Sequence, residues 1–281
     1  MNKIKIFQGG YDGFGHQLEG TLRLLSLHLN NKAEYQFHHK KKYEFEHKNF
    51  DKDILVNYIE LALKNLSINF NQDKNTLNII QGEYRSFDNI IKNDINYENN
   101  IYYFDGVGSG QKLPNNFEYY NDIKKSLSEL RKAFVLNNNI LPIPSYRDNK
   151  DNSFINICCH IRMGDAVGTR ILDNNNLINL IKHFQKYNNK YRIIIHSDGN
   201  VDMLHNDNTY IKDSNTDVLQ ILSDFIHCDI LIMNYSSLSI ASHLLGDDKQ
   251  VVICPDRAGP TFYHRILEKC IKCSDFNSDN F

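Results

Sequence analysis

The stretch Phe154-Ile155-Asn156-Ile157-Cys158-Cys159-His160-Ile161, running straight into Arg162-Met163-Gly164-Asp165, decides the fold class. Its first part is short, nearly continuously apolar and rich in isoleucine, the pattern of a strand buried on both faces. The same pattern returns at Tyr191 to His196, Ile230 to Met233 and Val251 to Cys254. Between these runs lie stretches of helical period, Asn174 to Tyr187, Thr216 to His227 and Ser236 to Leu245. Buried strands alternating with helices predict a parallel sheet covered on both sides.

Working outward, the amino-terminal half alternates too. Lys3 to Gln8 reads as a strand, followed by a Gly-rich turn and an amphipathic helix from His16 to Leu29. Ala33 to Phe37 reads as a second strand, and Asp51 caps a helix through Leu66. Apolar segments at Leu77 to Ile80 and Ile101 to Phe104 precede a helix over Phe117 to Leu136. The basic, aromatic stretch His38 to Lys48 reads as a solvated strand edge or loop. Ile140 to Ser153 holds two prolines and a polar run, the composition of an interdomain linker. A chain of 281 residues suits two cores of ordinary size. The expected architecture is α/β, two facing Rossmann-like domains with a cleft between them, spanning 1–145 and 146–281.

Composition narrows the function classes. A hydrophobic share of 41% with 23% charged residues is a globular balance. The formal net charge of -2 supplies no basic field, which argues against nucleic acid as the partner. Met1 to Phe7 is too short an apolar run for a leader or anchor, and no stretch has the length of a membrane span. The expectation is a soluble, cytoplasmic protein. The six cysteines, mostly inside apolar runs, read as small buried hydrophobes in a reducing compartment. Cys270 and Cys273 form a C-x-x-C with no second pair or histidine cluster, so helix positions are preferred over a zinc site and no metal is expected. The sequons at Asn65 and Asn234 read as chance matches.

Ligands of open α/β sheets bind beyond the carboxyl ends of the strands, which directs attention to the polar residues there. After the first strand comes Gly9-Gly10-Tyr11-Asp12-Gly13-Phe14-Gly15-His16, whose glycines and following helix permit close approach of an anion, or simply a tight turn. After His160-Ile161, Arg162 can grip a phosphate bidentately with Asp165 holding its guanidinium; a structural Arg–Asp ion pair is the equal alternative. His160 alternates onto a face where it orients that Arg or meets the ligand. Asn234-Tyr235-Ser236-Ser237 opens a helix, so one serine is an N-cap, and the same helix start can seat an anion. His196-Ser197-Asp198-Gly199 places an acidic residue to meet a ribose or base, or to cap a turn.

The run His160 to Thr169 resembles the H-x-R-R-x-D-x-V-G-T segment of α1,6-fucosyltransferases, and His160 to Asp165 is similar to the H-I-R-R-G-D of α1,2-fucosyltransferases. Gly13 to Leu18 resembles their G-x-G-x-Q-L turn, Ser197-Asp198 their T/S-D pair, and Cys228 to Ser237 their A-D-F-L-V-C-T-F-S-S segment, all in family order. The resemblance implies a GT-B-like enzyme with an amino-terminal acceptor-side domain and a carboxyl-terminal donor domain. It would move fucose from GDP-fucose, a co-substrate, to a glycan or glycoconjugate hydroxyl, with inversion and without a metal or other cofactor. Arg162 would neutralise the β-phosphate; His160 and Asp165 would support it; Ser237 beside Ser236 would touch the diphosphate; Gly15 and His16 would lie near the donor, with Asp198 at the ribose or base.

Two departures stand out. Met163 replaces the family's second arginine, and Arg170 stands where α1,6-fucosyltransferases carry a glutamate proposed as base. Asp12 is the substitute base, Arg170 a candidate diphosphate contact, and Asp217 or Asp224 would take the place of an acidic residue aligning near Ile221. Beside the fucosyltransferase reading stand a glycosyltransferase with another donor and a non-catalytic nucleotide- or glycan-binding domain.

Overall fold

In the computed structural model, residues 4–9, 13–31, 33–37, 52–68, 78–81, 100–105, 117–147, 153–161, 174–187, 189–213, 215–256 and 270–276 are described. The chain divides into two compact units, Met1–Leu141 and Pro142–Phe281. Each is an α/β unit on an all-parallel sheet, as the alternating strand and helix signals require.

The first unit carries β1 (Ile4–Gly9), α1 (Phe14–Leu29), β2 (Ala33–Phe37), α2 (Lys52–Asn65), β3 (Asn78–Gln81), β4 (Asn100–Asp105) and α3 (Phe117–Arg131). Its strands lie in the order β2-β1-β4-β3. The helix expected from His16 begins two residues earlier because Phe14 is an apolar anchor, buried to 2% exposure with its ring 6.3 Å from that of Tyr58. Gly15 and His16 therefore belong to a helical turn and not to the loop before it. The helix over Phe117 to Leu136 changes register at its end, where Lys132–Leu136 widens into a π turn. That turn is held from outside: Tyr58 Oη donates to Phe134 O at 3.0 Å and Asn65 Nδ2 to Ala133 O at 3.1 Å.

The second unit holds β5 (Ile155–Ile161), α4 (Asn174–Gln185), β6 (Tyr191–Ser197), β7 (Thr209–Lys212), α5 (Val218–His227), β8 (Ile230–Ile232), α6 (Ser237–Leu245), β9 (Val251–Cys254) and β10 (Cys270–Lys272). The sheet order is β10-β9-β8-β5-β6-β7. Read from β7, this is the 3-2-1-4-5-6 order of the dinucleotide-binding Rossmann sheet. Alternation along the strands sorts the faces. Ile157, Cys159 and Ile161 of β5, with Ile193 and Ile195 of β6, pack on Leu177, Ile181 and Phe184 of α4. The intervening residues, Cys158, His160, Ile194 and His196, face the α5 side, where Phe225 lies against both histidine rings.

The sequence pattern missed β7 and β10. Each is an edge strand of three or four residues, too short for alternation to register, and β7 is embedded in a polar stretch. The expectation of helix for Cys270 and Cys273 is thus corrected: Cys270 opens β10 and Cys273 a 3₁₀ turn. The expectation of six thiols is corrected as well. Pairing of β10 with β9 brings Cys254 and Cys270 to a Cα separation of 6.1 Å, and they form a disulfide. Cys158, Cys159 and Cys228 are buried free thiols.

The segment after the division is fastened to the second unit. Ser223 Oγ donates to Pro142 O, Gln220 Nε2 to Ile143 O at 2.9 Å, and Arg192 Nη1 to Tyr146 O at 2.9 Å. These bonds explain why the division falls at Leu141–Pro142, inside the expected linker and ahead of a 145/146 break. The expected basic stretch His38 to Lys48 lies outside the described residues.

Candidate functional site

In the second unit the chain moves from β5 outward to β6 and β7, then returns to β8 on the other side of β5. The topological switch point therefore lies between β5 and β8, where a crevice opens at the carboxyl ends of such sheets. Two of the polar clusters singled out from sequence end these two strands: His160 at the end of β5, and Asn234 to Ser237 after β8.

His160 is half-buried. Its Nδ1 lies 3.1 Å from Ser239 Oγ in the first turn of α6, and its ring centroid lies 5.7 Å from that of Phe225. The α6 start is built by Ser236, which takes an extended conformation and accepts a hydrogen bond from Leu238 N at 3.3 Å. Of the two adjacent serines, Ser236 is thus the N-cap, and Ser237 is the first helical residue, half-buried. Asn234 is 0% exposed; its Oδ1 accepts from Tyr235 N at 2.6 Å, which fixes the amide orientation, and its Nδ2 has no partner among the described residues. A buried donor without an acceptor is costly, so this atom is a point at which a ligand would be rewarded.

Beside His160 the register places His196 of β6 directly opposite, on the same face. His196 Nε2 lies 3.0 Å from Asp224 Oδ2, with the two side chains 2% and 0% exposed. Asp224 also accepts from Ser145 N at 2.6 Å, Ser145 Oγ at 2.8 Å and Gln220 Nε2 at 3.0 Å. Burial pushes this carboxyl up, but the hydrogen bonds from His196 and Ser145 outweigh it and hold the group below the ordinary carboxylate range. Asp224 is ionised and saturated. Asp217 is exposed and caps α5, its Oδ1 accepting from Leu219 N at 2.7 Å. Of the two acids expected near Ile221, Asp224 is thus taken up inside the fold and Asp217 serves as a helix cap.

The remaining candidates divide clearly. His160, Ser236 and Ser237 meet at the β5/β8 crevice. Asp198 is exposed just past β6, in a turn where Gly199 N donates to Ser197 Oγ at 3.2 Å. Gly15 and His16 occupy the first turn of α1 in the other unit, where Gly13 is the N-cap without a side-chain bond. Asp12, Arg162, Met163, Asp165 and Arg170 lie outside the described residues. Among the described residues no cluster of His, Cys, Asp and Glu has the make-up of a metal site, and no helix is long and apolar enough to cross a membrane. Of the two sequons, Asn234 is fully buried, whereas Asn65 is exposed, its Nδ2 donating to Ala133 O at 3.1 Å and Asn137 O at 3.0 Å.

Nothing in the sequence marks Ser239 as a partner of His160. Its signal is the third-residue position after the Ser236 cap, which becomes legible only once α6 is set beside β5. The His196–Asp224 couple is equally silent, because it joins a strand to a helix 28 residues away.

No family model matches the chain, and no curated protein matches it in sequence. Among solved structures, it is similar to a glycosyltransferase family 9 protein from Veillonella parvula DSM 2008, at 12% identity over 96% of this chain and 86% of that one, with a TM-score of 0.47. It is similar to the fucosyltransferase NodZ from Bradyrhizobium at 9% identity, covering 88% and 94% of the two chains, with a TM-score of 0.46. A third likeness is to the E. coli ADP-heptose LPS heptosyltransferase II, at 10% identity, 96% and 90% coverage and a TM-score of 0.43.

Proposed function

We propose that this chain is a glycosyltransferase that moves fucose from GDP-fucose to a hydroxyl of a glycan or glycoconjugate, with inversion. The observation that supports this most is the meeting of two motif-bearing strand ends, His160 of β5 and Asn234 to Ser237 after β8, at the switch point of a Rossmann-ordered sheet. In this reading the second unit holds the donor and the first receives the acceptor. Ser236, Ser237 and the α6 amino terminus seat the diphosphate, since the helix dipole and the N–H groups pointing out of a helix start favour an anion there. Asn234 Nδ2 supplies a further donor. Arg162, two residues beyond His160, neutralises the β-phosphate as the glycosidic bond breaks, and Asp165 holds its guanidinium. Arg170 offers a second positive charge where Met163 offers none. Gly15 and His16 approach the donor, Asp198 meets its ribose or base, and Asp12 accepts the acceptor's proton. No metal or other cofactor is required.

The test is a thermal-shift panel of GDP, GDP-fucose, GDP-mannose, UDP and ADP, followed by donor turnover. Selective binding to the native state raises its apparent stability, so GDP and GDP-fucose should shift the melting point in preference to UDP and ADP, with GDP-mannose reporting on the sugar. Arg162→Ala should lose about 2 to 4 kcal/mol of transition-state stabilisation. Stabilisation by UDP or ADP with none by GDP overturns the donor assignment. A second reading, a non-catalytic GDP-binding domain, is favoured by Met163 and Arg170 at two family positions. It is supported by tight GDP binding without turnover across a broad acceptor panel.

A further inference from the structure

We propose that Ser239 is a positioning residue that holds His160 in its Nε2–H tautomer, so that this histidine meets its ligand as a hydrogen-bond donor and not as a base. The tautomer follows from counting hydrogens. Ser239 is 0% exposed, so water cannot take its hydroxyl proton. Helical serines commonly turn that proton to a carbonyl one turn back, as Ser242 Oγ does to Leu238 O at 2.7 Å and Ser26 Oγ to Arg23 O at 2.6 Å. Ser239 does not: the side-chain hydrogen-bond partner of its hydroxyl is His160 Nδ1, at 3.1 Å. A hydroxyl has one hydrogen to give, and a buried one left without an acceptor is costly. The hydroxyl therefore donates, and Nδ1 accepts with its lone pair. A neutral imidazole carries a single N–H, which is then at Nε2.

The surroundings hold this arrangement in place. Phe225 lies against the His160 ring and, 5.2 Å away, against the ring of His196 on the next strand. His196 is fixed in the same tautomer by a different device, since an ionised Asp224 can only accept and so takes the Nε2–H. The α6 cap at Ser236 sets the first turn from which Ser239 reaches β5. Whatever partner meets Nε2 of His160 meets an N–H, which selects acceptors such as a phosphate oxygen or a base carbonyl. The consequence for the ligand rests on the GDP-sugar reading above; the tautomer itself does not.

The experiment is a long-range ¹H–¹⁵N correlation spectrum of the full chain with ¹⁵N-labelled histidine, His160 being identified by its loss in His160→Gln. The nitrogen coupled to Hδ2 is Nε2, and an unprotonated ring nitrogen resonates far downfield of a protonated one. Expected for the wild type is a protonated-type Nε2 and an unprotonated-type Nδ1. In Ser239→Ala the two resonances should move towards each other as the tautomers mix, and Ser239→Thr, which restores a hydroxyl, should return them. Nδ1 protonated in the wild type overturns the proposal without recourse to any variant, as does a Ser239→Ala spectrum unchanged at His160. GDP titrated into the same samples should bind Ser239→Ala with a Kd raised about tenfold, the loss of roughly one hydrogen bond. Equal GDP affinity in both proteins overturns the role towards the ligand. A wild type that shows the expected tautomer but binds no GDP strikes the donor reading alone.

Discussion

Asp224→Ala should be among the most damaging single changes in the second unit. The carboxylate is 0% exposed and accepts four hydrogen bonds, from Ser145 N, Ser145 Oγ, Gln220 Nε2 and His196 Nε2. Gln220 keeps a second acceptor in Ile143 O, and Ser145 is only half-buried, so the heaviest loss falls on His196. At 2% exposure its Nε2–H has no route to water. An unsatisfied buried donor costs about 1–3 kcal/mol and each hydrogen bond to a charged group contributes about 1.5–3 kcal/mol, so roughly 4 kcal/mol is expected for alanine. Asp224→Asn keeps an acceptor for Ser145 N but turns an amide N–H₂ towards His196. The imidazole must then move its proton to Nδ1, which has no partner among the described residues, for a loss of about 2 kcal/mol.

Urea unfolding followed by far-UV circular dichroism gives the order of stabilities, wild type above Asn above Ala. Hydrogen exchange at the Ser145 amide gives the local effect, about tenfold faster for each 1.4 kcal/mol of local opening. The pH dependence has a definite sign. The folded-state pKa of Asp224 is lowered from 3.8, so its contribution is fully present above that value and is lost as pH falls through the depressed folded value. The gap between wild type and Asp224→Asn should therefore narrow only below the ordinary aspartate range. An Asp224→Ala protein within about 1 kcal/mol of wild type, with unchanged exchange at Ser145, would refute the reasoning.

Ser236→Ala should cost about 1 kcal/mol by removing the α6 N-cap, read in the same unfolding experiment; Ser236→Gly should cost only a few tenths. An alanine variant as stable as wild type would deny Ser236 the cap. Burial pushes the thiols of Cys158 and Cys159 well up, so neither should alkylate in the native protein at mildly alkaline pH, whereas half-buried Cys273 should. Mass mapping checks this, and label on Cys158 or Cys159 before unfolding would show the β5 packing to be wrong.

The long strands and helices were legible because each buries a continuous or periodic set of residues. Ile193, Ile194 and Ile195 announce β6 however the rest of the chain is arranged, since a run buried on both faces has no other stable use. The short edge strands β7 and β10 were not legible, because three or four residues bonded on one side carry almost no pattern. The serine pair Ser236-Ser237 was legible as a helix start, since capping is local, whereas the Asp217 cap one residue inside the expected Thr216 start was not. The role of Asp224 was not, since a buried acid is defined by partners distant in sequence: Ser145 lies 79 residues away and His196 28.

His160 shows where the boundary runs. Its place at the polar end of a buried strand is written in Phe154 to Asp165, where the hydrophobic effect alone dictates a two-sided strand and a polar exit. Its protonation form is not written there. That depends on a serine hydroxyl from a helix 79 residues on, set against the strand by the β5–β8 pairing and the Ser236 cap. Burial is proportional to area and is legible in a run of residues, whereas a hydrogen bond needs two atoms within about 3 Å, which only the folded chain supplies.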